Sequence, residues 1–119
     1  MKNPFRKGYE ISLNRVHDTV RIKEGDQSLT LTVNGDAQRM VAGIMNANKK
    51  MQALKDESTD EEAREAATYF AGVLFGREQA EKLLEFYADD PGTVITVCGR
   101  YFKERLANQI SKVQKKMKL

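Results

Sequence analysis

The run from Thr59 to Tyr87 limits the architecture of this chain more than any other stretch. Thr59 is followed three positions later by Glu62, the spacing of a capping box, in which the hydroxyl accepts an orphan amide and the carboxylate reaches back. Asp60 and Glu61 add negative charge at the positive end of the helix dipole. Ala63, Ala66, Ala67, Phe70, Val73 and Leu74 then recur at three-and-four spacing, a narrow apolar face whose small residues admit a close neighbour. Phe75 extends that face, and Gly76 can take the left-handed conformation that ends a helix. Beyond it Ala80, Leu83, Leu84 and Tyr87 form a second stripe, with Phe86 beside it. The stretch predicts two helices, over about 59–75 and 77–88, meeting at a glycine elbow. Both stripes need cover from other elements or from a partner.

The apolar faces of these helices exceed what a chain of this size can comfortably hide, which favours self-association or the holding of an apolar client. Val20 and Ile22 alternate with polar residues, and so do Leu29, Leu31 and Val33, with Glu24-Gly25-Asp26-Gln27 as turn residues between them. This pattern predicts a β-hairpin over about 19–34. A hairpin is marginal alone, so its apolar face must rest on the helices or on another sheet edge. Residues 1–18 form an arm, in which Tyr9, Ile11 and Leu13 alternate as in a short strand and His17 precedes the hairpin as a surface residue. Asp36 is the expected cap of a helix over about 36–55, with Met40, Val41, Ile44, Met45, Met51 and Leu54 along one side. A polar linker leads from it to Thr59.

Asp90 and Pro91 read as the cap and first residue of a last helix over about 91–117. Thr93 to Cys98 is β-branched and strand-like by propensity, but Val94, Cys98, Tyr101, Phe102, Leu106, Ile110, Val113 and Met117 carry a helical period for more than twenty residues. Gly99 costs that helix about 1 kcal/mol relative to alanine and is expected to mark a close approach. The fold class is therefore α+β, mainly α, with residues 19–119 forming one domain behind the arm.

Charge is unevenly spread. Residues 1–23 hold six Lys/Arg against two acids, residues 55–90 four against eleven, and residues 91–119 seven against one. An acidic middle between basic ends permits attraction between copies as easily as nucleic-acid binding. No apolar run approaches the roughly eighteen residues of a membrane span, and the first residues lack a secretory h-region, so cytoplasmic synthesis is expected. One Cys and one His cannot make a four-ligand zinc site, and Cys98 reads as a small buried hydrophobe. No P-loop, GxGxxG, HExxH or EF-hand spacing occurs, and no nucleophile–base pair is visible. The expectation is a protein that is not an enzyme and uses no cofactor or metal. The final helix is basic, but its aromatics lie on the apolar stripe rather than among the lysines, a poor match to a nucleic-acid interface.

Leu29-Thr-Leu-Thr-Val-Asn-Gly35, then Leu74-Phe-Gly-Arg-Glu-Gln-Ala-Glu-Lys-Leu84, then Val97-Cys-Gly-Arg-Tyr-Phe102, in this order, resemble the small tail assembly chaperones of long-tailed bacteriophages and prophages of Gram-positive hosts. The resemblance covers residues 28–115, and its most specific part is the Phe-Gly-x-x-x-Ala-x-x-Leu elbow at 75–83. It implies a chaperone acting in the cytoplasm of the bacterial host. Such a chaperone coats the helical tape measure protein through apolar helix faces, helps recruit tail tube protein and self-associates. A longer frameshifted product, with Lys115-Lys116 near the slippery site, is a further implication. The contact residues expected under this reading are Phe70, Leu74, Phe75, Leu83, Phe86 and Tyr87, with Met40, Ile44 and Met51 as adaptable neighbours. The alternatives are a small basic regulatory protein that binds nucleic acid through the final helix, and a structural tail or head-completion subunit.

Overall fold

A computed structural model describes residues 14–117. The expected first strand around Tyr9 to Leu13 lies outside the described residues. Two antiparallel strands, β1 (Arg15–Glu24) and β2 (Gln27–Asp36), form a hairpin. Helices α1 (Ala37–Gln52), α2 (Asp60–Phe75), α3 (Arg77–Phe86), α4 (Pro91–Tyr101) and α5 (Ala107–Met117) follow, and a π-helical turn over Phe102–Leu106 joins the last two. The fold is α+β and mainly α, as the periodicities predict.

The hairpin turns on Gly25 and Asp26, with Gly25 at φ +60° as the first central residue, where a two-residue loop favours glycine. Its register sorts the side chains. Val16, Asp18, Val20 and Ile22 pair with Gly35, Val33, Leu31 and Leu29 on one face, while Arg15, His17, Thr19, Arg21 and Lys23 pair with Asp36, Asn34, Thr32, Thr30 and Ser28 on the other. The first set rests on the helices, and Val16, Ile22, Leu31 and Val33 are buried. The strands are longer than the predicted 19–34. Arg15 to Asp18 belong to β1 rather than to the arm, and His17 is an exposed strand residue. The apolar alternation breaks off there because the inward positions pair Asp18 with Val33 and Val16 with Gly35.

Helix α2 lies at the centre, packed against α1, α3, α4 and β2. Ala66, Ala67 and Ala71 are buried on it beside Phe70, Leu74 and Phe75, so helices approach it on more than one flank. Its start is the predicted capping box: Glu62 N donates to Thr59 Oγ1 at 3.1 Å, and Thr59 N donates to Glu62 Oε1 at 3.0 Å. It ends at Gly76, φ +87°. Asp36 caps α1, accepting from Arg39 N at 3.0 Å, and Asp90 caps α4, accepting from Thr93 N at 3.3 Å. Thr93 to Cys98 is helical, so period outweighs β-propensity there.

Helix boundaries differ from expectation where the backbone intervenes. α1 stops at Gln52, because Ala53 closes it and Ser58 Oγ accepts from Lys55 N at 2.8 Å in a separate turn. α3 stops at Phe86, since Ala88 (φ +53°) and Asp89 (φ +61°) are left-handed. The last helical stretch is interrupted by the π turn, a one-residue widening that periodicity cannot reveal. Gly99 meets no neighbour within 4 Å. The close approach falls instead at Gly43, where an added Cβ would lie 2.8 Å from Val73 Cγ1.

Candidate partner-binding surfaces

The nine expected contact residues divide into two groups. Phe70, Leu74, Phe75, Leu83 and Met40 are core residues, each no more than 6% exposed. Ile44, Met51, Phe86 and Tyr87 are half-buried at the margin of the same core. The apolar residues flanking the glycine elbow are therefore covered within one copy, while Gly76 itself is exposed. With α1, α3, α4 and β2 packed around it, α2 buries Ala66, Ala67, Phe70, Ala71, Leu74 and Phe75 and leaves Glu61, Arg64 and Glu65 exposed. Phe75 packs on Tyr101 with ring centroids 5.7 Å apart, and Phe86 meets Tyr87 edge-on at 5.1 Å. Tyr87 donates its hydroxyl to Glu24 Oε1 at 3.0 Å, tying α3 to the hairpin tip. Burial and then Glu24 push its pKa up to about 12. Cys98 is buried, and burial pushes its thiol up to about 12, so it holds no thiolate near neutral pH.

The apolar surface that does reach solvent lies on α1. Met45 is 60% exposed, the large hydrophobic side chain most open to solvent among the described residues. Val41, one turn before it, and Ile44, directly before it, are half-buried, so the three continue the buried stripe around the helix as a shoulder. Met45 belongs to the methionine-rich side predicted from the sequence, but its helical angle, about 140° from Met40 at 100° per residue, carries it past the core.

A polar cluster joins the hairpin to the last helices. Asp18 points into the apolar face opposite Val33, with its side chain 4% exposed. Arg105 grips it with two bonds, Nε to Oδ2 and Nη2 to Oδ1, each 2.7 Å. Tyr101 donates its hydroxyl to Oδ2 at 2.7 Å, and Thr19 N donates to Oδ1 at 2.9 Å. Burial opposes the charge of Asp18, but the bonds from Arg105, Tyr101 and Thr19 outweigh it and hold the carboxyl below its ordinary value. Burial and Asp18 together push the Tyr101 hydroxyl up, and Asp18 does the same to Arg105. Sequence reading missed this cluster, because its members lie 83 and 87 positions apart. The one available signal was an acid at an inward position of an alternating strand.

The two edges of the hairpin differ. On β2 the Gln79 amide copies a neighbouring strand: Thr32 N donates to its Oε1 at 2.9 Å, and its Nε2 donates to Thr32 O at 2.7 Å. On β1 a groove of about 360 Å³ runs between the strand and α4, lined by Val20, Ile22, Tyr87, Val97 and Arg100 among others. Among the described residues no group of three His, Cys, Asp or Glu side chains could hold a metal, and no helix is long and apolar enough to cross a membrane. The chain matches no protein-family model, no curated protein and no solved structure.

Proposed function

We propose that this chain is an assembly chaperone of a long-tailed phage or prophage, binding the tape measure protein and aiding tail tube assembly. The observation that carries the reading is the α1 shoulder of Val41, Ile44 and Met45, an apolar helix margin reaching solvent beside a sealed core. Methionine suits such a surface, because its flexible thioether adapts to apolar helices that differ in detail. The order of the segments at 29–35, 74–84 and 97–102 supports the same reading by resemblance. Contact moves from the elbow to α1, with Ile44 and Met51 retained from the expected set and Met45 added.

The test is capture of an amphipathic helical segment from a phage tape measure protein by the full chain. Binding should vary little with salt and should weaken about tenfold in Met45→Asp, which places a charge in an apolar contact. No binding by a chain that also stays strictly monomeric across micromolar concentrations would remove the proposal. Binding that collapses with added salt would point instead to an electrostatic partner such as nucleic acid.

A further inference from the structure

The open edge of β1 offers a second surface, independent of α1. Thr32 spends both backbone groups on Gln79, so the Thr19–Thr32 pair is one whose N–H and C=O groups point away from the partner strand. By alternation, His17, Arg21 and Lys23 also turn their backbone groups outward. Thr19 N is occupied by Asp18, which breaks any ladder in the middle of the strand. Among the described residues nothing bonds the outward groups of Arg21 and Lys23. The available stretch is therefore Val20–Glu24, which borders the groove beside α4.

The two faces of that stretch differ in character. Arg21 and Lys23 stand on the outer face with no acidic partner among the described residues. Val20 and Ile22 lie on the opposite face and line the groove with Tyr87, Val97 and Tyr101, while the paired Arg100 and Glu104 stand on its α4 side. We infer that the β1 edge from Val20 to Glu24 binds an extended peptide as a third strand, with acidic side chains over Arg21 and Lys23 alternating with apolar ones in the groove. Backbone bonds to Arg21 and Lys23 supply affinity, and the alternate side chains supply selectivity. A second copy of β1 is a poor occupant. Antiparallel pairing of two such stretches, centred on Ile22, would set Arg21 of each copy against Lys23 of the other. Nucleic acid offers neither strand-edge groups nor apolar side chains for the groove. The inference stands without the tape measure reading.

The probe is a fluorescein-labelled, end-capped peptide of alternating Val and Glu, seven residues long, titrated with the full chain by fluorescence anisotropy. The expected dissociation constant is about 10–100 µM, as for a short peptide ordered on binding. Arg21→Glu with Lys23→Glu should weaken it at least about tenfold, with an unchanged circular dichroism spectrum. N-methylating the amides along one edge of the peptide should abolish binding, while methylating the other edge leaves it intact. That contrast needs no protein variant and reads strand pairing directly. Equal binding of both methylated peptides, equal binding of an alternating Val–Lys peptide, or no binding at millimolar concentration would overturn the inference. So would displacement of the peptide by duplex DNA with a steep salt dependence, or binding seen only after removal of residues 1–13, which would put the chain's own arm on the edge.

Discussion

Replacing Asp18 with Asn should loosen the join between the hairpin and the last helices. The carboxylate accepts four bonds, two from Arg105 and one each from Tyr101 and Thr19. An amide of the same shape has one oxygen to offer and presents N–H groups to donors that need an acceptor. Losing one partner of a fully buried pair costs about 3–5 kcal/mol, but the Arg105 side chain is 59% exposed and can turn to water. Discounting for that screening leaves about 1–2 kcal/mol, or roughly 3–8 °C in Tm for a chain of this size. The pH dependence follows from the depressed acidity of Asp18. Its contribution is fully present above its unfolded pKa of about 4 and is lost as pH falls through the lower folded value. Urea titrations followed by circular dichroism at pH 7 and pH 3 measure both effects. The gap between wild type and Asp18→Asn should be clear at pH 7 and shrink at pH 3. Adding Arg105→Gln to Asp18→Asn should cost less than it does alone. A gap of zero at pH 7, or one of the same size at both values, would refute the account of the cluster.

Three further outcomes follow from the packing. Gly43→Ala should destabilise by about 1–3 kcal/mol despite the helical gain of alanine, because its Cβ would sit 2.8 Å from Val73 Cγ1, and Val73→Ala should recover part of the loss in denaturant melts. Gly99→Ala, with open space at the Cβ position, should instead stabilise by about 0.5–1 kcal/mol in the same measurement. Gln79→Ala should speed hydrogen exchange of the Thr32 amide well beyond that of its neighbours, since the bond to Oε1 is lost.

What was legible in the sequence was set by local chemistry. Thr59 with Glu62, Asp36, and Asp90 with Pro91 each announce a helix start through bonds made within four residues, and each stands where expected. The inward alternation of Val20, Ile22, Leu29, Leu31 and Val33 located the hairpin but not its open end, where Asp18 takes an inward position. What stayed hidden depends on the third dimension. Period alone marks Phe70 and Leu74 as apolar, yet only the packing of α1, α3 and α4 around α2 shows that they are covered. Gly43 and Gly99 are both helical glycines, and the sequence does not say which faces a neighbour. Asp18 meets Arg105 only once the hairpin and the π turn are in place. Gln79 acquires its role only where β2 lies beside it.

The central claim is that tape measure contact belongs to the α1 shoulder, with Phe70, Leu74, Phe75 and Leu83 reserved for the core. Nitrogen-15 chemical-shift mapping of the full chain during titration with a tape measure helical segment tests this directly. Shifts should concentrate on Val41, Ile44, Met45 and their neighbours, leaving Phe70, Leu74 and Leu83 at their free positions. Shifts centred on the elbow, or an unchanged spectrum at saturating peptide, would contradict the account.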